Sequence, residues 1–429
     1  MRSSRGTPES SIPAADVVER STYPAERGHH ELRQYLGPAF LVSVGYMDPG
    51  NWGTDIQGGS DFGYRLLWVL LLSNLMAILL QTLSAKLGIV TGQTLAENCR
   101  EQFPRPVGLF LWSIAELAMM ATDLAEFLGA ALGFYLLFGI PMFASGLLTG
   151  VVVFLILGLY RYGYRAVEYV TIGFVVIIGW CYVIELVLAR PDFGAIAYHT
   201  VVPNLDERSL YVAIGMLGAT VMPHNLFLHS GLVQTRLALE HRPSRRKLFR
   251  FAVVDAIVAL NGAWLVNSAI LIMSAAVFFQ NGIPVASIGQ AHATLIPLLG
   301  GLSSTVFAIA LLSSGLSSST MGTIAGQMVI EGFLRVRFPI WLRRLITMIP
   351  AMVVIGLGLD ELKVLVLSQV ILSFALPFAV IPLILFTARR EMMGEHLNGP
   401  LTNTLAVATA AVIVFLNVLL LYQVLGGEF

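Results

Sequence analysis

The feature that most constrains this chain is a series of apolar segments, each long enough to cross a lipid bilayer. About 20 consecutive apolar residues suffice for a membrane-spanning helix, and the 429-residue chain is 56% hydrophobic and only 12% charged. Soluble globular domains are far less apolar. The sequence therefore predicts an all-α polytopic membrane protein.

We place about eleven spans, counting an interrupted segment once. They lie near 35–62, 64–90, 106–135, 141–160, 166–189, 209–239, 249–280, 298–334, 338–359, 361–388 and 400–425. Residues 1–34 are polar and lack an apolar signal core, so we expect a disordered cytoplasmic tail. The rest, 35–429, is expected to form a single membrane domain.

Basic residues are unevenly distributed between the two sets of connecting segments. With a cytoplasmic N-terminus, 22 of the 26 Lys and Arg residues lie inside, including the cluster around Arg245 and Arg246. Cytoplasmic loops of membrane proteins carry such an excess. The charge distribution therefore predicts a multi-pass membrane protein with its C-terminus outside. The short loops and compact tail indicate the cell (inner) membrane.

The remaining composition excludes several classes of function. The formal net charge is zero, so no global field favours nucleic acid. Cys99 and Cys181 are far apart in sequence and match no metal-binding spacing. No nucleophile, cofactor loop or hydrolytic metal motif is present. We therefore expect neither an enzyme nor a bound cofactor.

Two apolar segments are interrupted by proline at corresponding positions. The first contains DPGN at 48–51 and the sixth contains MPHN at 222–225. Proline removes a backbone donor and clashes with the preceding turn, so each helix should break there. Because five spans separate the two unit starts, the second unit must lie upside down relative to the first. This pattern predicts an inverted-repeat transporter with repeats at 35–189 and 209–388, a midplane substrate site and an extra helix at 400–425.

The first break places a carboxylate inside a membrane-spanning segment. Such a group is costly unless it is paired or coordinating, so Asp48 is the leading candidate for a cation ligand. It could instead cap the half-helix that follows. Asn51 offers a neutral oxygen one turn away, or an N-cap after the break.

Met222 at the second break indicates which cation would bind. A methionine in an apolar span is usually core filler, but this one lies beside Pro223 and the carbonyl of Ala219. A thioether suits Mn²⁺, Fe²⁺ or Cd²⁺ and has little to offer Mg²⁺ or Ca²⁺. One carboxylate, one amide, carbonyls and one sulfur therefore predict a transition-metal site.

The two motifs together resemble the paired signature of the NRAMP family, proton-coupled divalent metal transporters with the LeuT fold. The stretches ATDLAEFLG at 121–129 and WLRR at 341–344 are also similar, and the likeness runs from about residue 35 to the end. The resemblance implies a LeuT-type 5+5 inverted repeat plus one extra helix. Its implied metal ligands are Asp48, Asn51, Met222, the carbonyls of Ala219 and Gly45, and, in an occluded form, Gln369.

Three acids lie on one face of the third span. Glu116, Asp123 and Glu126 fall at i, i+7 and i+10, which predicts a polar track for protons. Arg343 and Arg344 are candidate partners, and the family resemblance supports that pairing. The alternative is a static salt-bridge network that only orients helices.

Histidines near the second break are further candidates for the proton pathway. His224 titrates near neutral pH when unperturbed, but it could equally hydrogen-bond a freed carbonyl. His229 and Asp255 are weaker candidates. Asp48 also belongs to the predicted pathway, because a neighbouring dication favours its ionised form and so links metal entry to proton loss.

Glycines recur in small-residue contexts of the third and eighth spans. Gly129, Gly133, Gly315, Gly322 and Gly326 permit close helix packing, and the last three could also serve as hinges. The eighth span is long, and a kink is expected near 313–315.

The predicted function is proton-coupled import of divalent transition metals (Mn²⁺, Fe²⁺, also Cd²⁺ and Co²⁺) by alternating access. A voltage that is negative inside pulls a dication inward. One alternative is a LeuT-fold symporter for a small organic solute with sodium as the coupling ion. Another is a channel or receptor that binds metal. The expected partners are the metal ion, protons and the bilayer, and nothing requires more than a monomer.

Overall fold

The structure is a computed structural model and describes residues 37–159, 164–237, 244–336 and 338–425. The predicted tail at 1–34 lies outside these residues. Within the described ranges the chain is helical and contains no strand, as expected for a helical membrane protein.

The α-helices are numbered here in chain order. They are α1 (Pro38–Gly45), α2 (Pro49–Phe62), α3 (Leu67–Thr91), α4 (Leu95–Gln102), α5 (Arg105–Phe138), α6 (Met142–Gly158), α7 (Tyr164–Ala189), α8 (Phe193–Val201), α9 (Glu207–Val221), α10 (Pro223–Leu232), α11 (Gln234–Leu237), α12 (Arg245–Ser274), α13 (Ile288–Leu299), α14 (Gly301–Leu334), α15 (Ile340–Leu357), α16 (Glu361–Thr387), α17 (Arg390–Met393) and α18 (Pro400–Val424). A π-helical turn, Ala275–Phe279, continues α12. Short 3₁₀ turns, Gly63–Leu66 and Gly394–His396, follow α2 and α17.

Nine helices in the described part of the chain are long and apolar enough to cross a membrane. The helix α6, at 17 residues, and the half-helix α1 are shorter than this criterion requires. The exact number of eleven spans therefore stays a prediction.

The helices agree with the predicted spans to within a few residues at most ends. The structure adds four helices in the connections, α4, α8, α13 and the short α17. The helix α14 runs without interruption through 313–315, so the kink expected there does not break the helix.

Both predicted breaks are present. Asp48 stands between α1 and α2 in an extended conformation (φ −71°, ψ 165°), and Pro49 is the first residue of α2. Met222 stands between α9 and α10, where Pro223 likewise begins the second half. Proline at the first helical position is favoured because its missing N–H needs no partner there. Each proline thus ends one half-helix and begins the next.

The glycines of the third and eighth spans are contact points between α5, α14 and the first break. A Cβ built on Gly129 would lie 2.1 Å from Pro49 Cβ, and one on Gly315 would lie 2.5 Å from the backbone nitrogen of Ala130. A Cβ on Gly133 would approach Leu312 at 2.7 Å. These approaches are tighter than any real side chain permits, so the glycines serve close packing here.

The two helices that lead into the breaks begin with different caps. Buried Asp255 of α12 accepts hydrogen bonds from the backbone nitrogens of Gly37 and Ala39, at 3.2 and 2.8 Å, at the start of α1. At the start of α9, Asp206 forms a capping box with Ser209 of its own helix. A distant helix therefore fixes the start of α1, whereas α9 is capped locally.

Candidate metal-binding site

Asp48 caps α2 with one carboxylate oxygen and leaves the other unused. Its Oδ1 accepts a hydrogen bond from the backbone nitrogen of Asn51 at 2.8 Å. Its Oδ2 has no hydrogen-bond partner among the described residues, although the side chain is 0% exposed. A buried, unsatisfied anionic oxygen is costly. The capping role considered from the sequence is therefore present, and it leaves an oxygen free to bind a cation.

Side chains from three elements support the backbone of the first break. The carbonyl of Tyr46 accepts hydrogen bonds from Asn51 Nδ2 at 2.7 Å and from Asn267 Nδ2 of α12 at 2.8 Å. The carbonyl of Met47 accepts one from Ser314 Oγ of α14 at 2.5 Å. These donors replace the helical bonds that the break removes. Asn51 Oδ1 remains without a partner in the described part of the chain.

The two prolines release one carbonyl on each side of the site. In an α-helix the carbonyl of residue i accepts from the nitrogen of residue i+4. Pro49 lies four residues after Gly45, and Pro223 lies four residues after Ala219, and neither has an N–H to donate. Both carbonyls are thus available as ligands, in the two positions that the family resemblance implies.

Asn225 brings the two breaks together. A Cβ built on Gly45 would lie 2.5 Å from Asn225 Nδ2, and the same nitrogen lies 3.6 Å from the sulfur of Met222. Met222 is 0% exposed and also contacts Ala121 and Leu372. The second break therefore packs against the last residue of α1. The Met222 thioether contacts Asn225 on one side and side chains of α5 and α16 on the other.

The helix α16 touches both broken helices at one residue. A Cβ on Gly50 would lie 1.6 Å from Gln369 Nε2, and one on Gly218 would lie 2.3 Å from the Gln369 carbonyl oxygen. The side chain of Gln369 is buried, and its Oε1 has no partner among the described residues. Its amide therefore lies at the first break with an oxygen free.

The candidate donors are of mixed chemical type. Two side-chain oxygens, one sulfur and two carbonyls come from the broken helices, and an amide comes from α16. In the described residues no three His, Cys, Asp or Glu side chains are placed to hold a metal ion together. Such a set, with a single charge and one soft donor, suits a transition metal that must be released again.

The acids of α5 meet the arginines of α15 as the sequence suggested. Glu116 Oε1 lies 3.1 Å from Arg343 Nη2, and Asp123 Oδ1 lies 3.0 Å from Arg344 Nη1. Arg344 is fully buried and also donates to Ser319 Oγ at 3.0 Å. Two ion pairs, about two helical turns apart on α5, therefore join α5 to α15.

Glu126 belongs to this face but lacks a cationic partner. Neither of its carboxyl oxygens has a hydrogen-bond partner in the described residues, and the side chain is 0% exposed. A Cβ on Gly322 of α14 would lie 2.5 Å from its Oε2. The absence of a side chain on Gly322 therefore makes room for the carboxyl group. An unpaired intramembrane acid is a candidate proton carrier.

The histidines of α10 contact side chains of neighbouring helices. His224 Nδ1 lies 3.3 Å from Thr122 Oγ1 of α5, rather than against a freed carbonyl. His229 Nδ1 lies 2.9 Å from Gln81 Oε1, and Gln81 Nε2 donates to the Tyr46 hydroxyl at 2.7 Å. Asp255 caps α1, as described above. His224 therefore joins the second break to the helix that carries the acids.

Sequence reasoning missed several residues of the site. Asn225, Ser314 and Asn267 are ordinary polar residues in apolar spans, and only the packing of the helices shows which carbonyl or sulfur each one reaches. Two buried acids outside this set of contacts, Asp55 of α2 and Glu185 of α7, were also not singled out. Glu185 accepts from Ser303 Oγ at 2.6 Å. Their signal was present, since each is an acid within an apolar span.

Comparisons with known proteins find relatives over nearly the whole chain. The family described as natural resistance-associated macrophage protein-like (Nramp) matches residues 39–423. A protein of Caldanaerobacter subterraneus subsp. tengcongensis, named as a divalent metal cation transporter, is 51% identical over 396 residues, covering 92% of this chain and 94% of that protein. A Deinococcus radiodurans protein of the same name is 48% identical, covering 94% and 92%. These names describe transporters, in agreement with the prediction that the chain is not an enzyme.

Solved structures give the same result for the fold. The manganese transporter of Eremococcus coleocola is 36% identical, with a TM-score of 0.81 over 93% of this chain and 89% of that one. Mhp1, a nucleobase-cation-symport-1 family transporter, is 14% identical with a TM-score of 0.61 over 90% and 91%. The likeness to Mhp1 concerns the fold alone. Together these neighbours confirm the predicted LeuT-type architecture.

Proposed function

Because this chain belongs to the Nramp family, we propose that it imports divalent transition-metal ions, Mn²⁺ and Fe²⁺ and also Cd²⁺ and Co²⁺. Divalent metal transport is the function that the names of its relatives support. The choice of metal, the coupling to protons and the alternating access are our inference for this chain.

The observation that carries the proposal is that the two breaks pack together at Gly45 and Asn225 and that both carry unused donors. Asp48 Oδ2 and Asn51 Oδ1 are buried without partners in the described residues, and the two prolines free the carbonyls of Gly45 and Ala219. The thioether of Met222 supplies the soft donor. A dication bound there would compensate the buried carboxylate, and the sulfur would favour Mn²⁺ over Ca²⁺ or Mg²⁺.

We assign the coupled proton to the charged face of α5. Metal arriving at Asp48 favours ionisation of that carboxyl group, so a proton must leave it. Glu126 is a buried acid that forms no ion pair within 4 Å with any described residue, and the Asp123–Arg344 and Glu116–Arg343 pairs continue from it along α5. This arrangement supplies an acceptor followed by charged groups that can relay the proton.

The proposed direction is uptake into the cytoplasm across the inner membrane. With 22 of 26 basic residues in the inside segments, the positive-inside rule places the N-terminus in the cytoplasm. In that orientation α5 runs outward, so Glu116 and Asp123 lie on the cytoplasmic side of Glu126. A membrane potential that is negative inside contributes about 2.3 kcal/mol per charge per 100 mV.

The test is uptake of Mn²⁺ into proteoliposomes under a negative-inside potential, with internal pH followed and Ca²⁺ and Mg²⁺ as competitors. We expect saturable Mn²⁺ entry that resists both competitors and acidifies the lumen. Glu126→Gln should reduce acidification more than metal binding, and Met222→Leu, which conserves volume, should weaken the discrimination against Ca²⁺.

Three outcomes would contradict parts of this proposal. Mn²⁺ entry without acidification would remove the proton route and keep the metal site. Equal loss of both functions in Glu126→Gln would favour a structural charge network. If folded protein took up no Mn²⁺, the alternative of a symporter for an organic solute would be favoured. At present only the shared fold supports that alternative.

A further inference from the structure

A cavity of about 400 Å³ opens where the end of α3, the start of α12 and the segment before α18 meet. Its volume lies within the range of small-molecule sites, about 300–1,000 Å³. It is separate from the metal site, since none of its lining residues belongs to the breaks, α5 or α16. Its lining contains three cationic side chains, those of Lys86, Arg245 and Arg246.

The positive charge of this cavity is largely uncompensated. In the described residues, Arg245 and Arg246 make no ion pair or hydrogen bond, and both side chains are exposed. Among the described lining residues Glu395 is the only acid, so three cations against one carboxylate leave a formal excess of two positive charges there. Guanidinium groups are well suited to phosphate, and an excess of this size in one cavity calls for an anion.

Lys86 is held toward the cavity by neighbours on two other elements. Its Nζ donates to Asn398 Oδ1 at 2.8 Å and lies 5.7 Å from the centre of the Phe249 ring. The long apolar stem of such a side chain lies along apolar surface while its charge reaches the membrane interface. The ammonium group is therefore placed at a defined point rather than left on a mobile surface chain.

Apolar side chains form the remaining wall of the same cavity. Phe249, one turn into α12, and Ile89, near the end of α3, line it beside the cations. Both helices continue from here into apolar membrane-spanning segments. The cationic side chains of the cavity thus lie at the membrane surface, and its apolar side chains lie beside the hydrocarbon region. Both are on the face that we propose to be cytoplasmic.

We propose that this cavity binds the phosphate of an anionic membrane phospholipid. Basic pockets between membrane helices on the cytoplasmic side bind anionic head groups, and the apolar wall suits the glycerol and the first part of an acyl chain. A free phosphate would use the cations but would gain nothing from Phe249 and Ile89. A phospholipid would therefore use both the cationic and the apolar side chains of the lining.

The site would act on the transporter through α12. Arg245 and Arg246 begin this helix, Asp255 of the same helix caps α1, and Asn267 donates to the Tyr46 carbonyl at the first break. A lipid that holds the start of α12 thereby stabilises the support of the first break. This inference does not depend on which metal is carried.

The experiment measures lipid retention by native mass spectrometry of the full chain, titrated with phosphatidylglycerol, cardiolipin or phosphatidylcholine. The test variant is Arg245→Gln/Arg246→Gln. The matched control is Arg105→Gln/Arg250→Gln, which removes two exposed charges from the same face outside the cavity. At about 1 kcal/mol per basic residue, the test variant should bind anionic lipid roughly 25-fold more weakly, with the control close to the parent.

The results that would overturn the proposal are distinct. Equal weakening in both double variants would mean diffuse attraction to the face. Unchanged retention in the test variant, or equal retention of phosphatidylcholine, would mean that the cavity has no anionic ligand. Displacement of the lipid by millimolar inorganic phosphate would identify a free-anion site instead. Because all four exchanged arginines are exposed, gel filtration of each variant should show the parent profile.

Discussion

The two breaks use the same proline device but are supported very differently. At the first, side chains of α2, α12 and α14 donate to the carbonyls of Tyr46 and Met47, and Asp48 caps the half-helix that follows. At the second, α10 has no side-chain cap, and the described residues provide no hydrogen bond to the carbonyls of Thr220 and Val221, which correspond to Tyr46 and Met47. Asn225 contributes one side-chain hydrogen bond, to the sulfur of Met222.

This contrast indicates that the two breaks differ in how freely their backbones can move. Each hydrogen bond to a buried carbonyl fixes a backbone that would otherwise be costly to bury, so the first break is held in one geometry. The second break would lose fewer hydrogen bonds if its backbone moved. We infer that Asp48 and Asn51 form the stationary part of the metal site, and that Met222 and Ala219 form the part that adjusts.

The largest expected effect tests the double role of Asp48 at the first break. Asp48→Asn keeps an oxygen that can accept from the Asn51 nitrogen but removes the charge. Because even residues behind a metal ligand affect affinity 10–100-fold, we expect Mn²⁺ binding to weaken by at least about 100-fold. Calorimetric titration measures the affinity, and thermal unfolding should change little.

Asp48→Ala is the control for this experiment. This variant loses both the charge and the cap, so it should bind Mn²⁺ as poorly as Asp48→Asn does. Its free energy of unfolding should also be lower by about 1 kcal/mol. If Asp48→Asn retained the parent affinity, the carboxylate would be only a cap.

A smaller effect compares the supports of the two breaks directly. Ser314→Ala leaves the buried Met47 carbonyl without its donor, which should lower the free energy of unfolding by about 1–3 kcal/mol. Asn225→Ala removes a donor to a weak sulfur acceptor, so a loss below about 1 kcal/mol is expected. Thermal unfolding in detergent measures both. Equal losses would show that the two breaks are held alike.

The smallest effect concerns the caps that begin the two lead-in helices. At the start of α9 the Ser209 backbone nitrogen, together with Arg65 at 2.8 Å, lowers the pKa of Asp206 to about 2. A carboxyl group with a lowered pKa stabilises the fold above its ordinary pKa, and this contribution disappears as the pH falls from about 4 through 2.

Asp206→Asn should therefore cost less than about 1 kcal/mol near neutral pH, because the pair is exposed to solvent. The difference from the parent should vanish at low pH, as measured by unfolding between pH 2 and 7. A large or pH-independent loss would mean that α9 depends on its cap as strongly as α1 depends on buried Asp255.

Much of the fold could be predicted because its causes are local. Apolar runs locate the spans, and Pro49 and Pro223 dictate where two of them break and which carbonyls they free. The positions of Asp48 and Met222 follow from the same residues. What each polar side chain reaches is not local. Ser314 and its neighbour Ser313 are alike in sequence, and only the packing of α14 against the first break decides which hydroxyl meets the Met47 carbonyl.

The capping of α1 was missed for the same reason. Asp255 lies 216 residues from Ala39, and an acid in an apolar span is equally consistent with a proton carrier. Asn225 could not be identified either, since nothing in its motif shows that its amide would lie against Gly45. Long-range contacts between helices set these roles, and periodicity does not encode them.

The glycines of α14 have a practical consequence for anyone engineering this protein. Replacing helical glycine by alanine usually raises stability by about 0.4–1 kcal/mol. At Gly326 the added carbon would lie 2.1 Å from Arg343 Nη2, displacing a buried charge. At Gly173, Gly179 and Gly262 it would meet nothing within 4 Å. A thermostabilised variant should therefore draw its substitutions from α7 and α12 and leave Gly315, Gly322 and Gly326 of α14 unchanged.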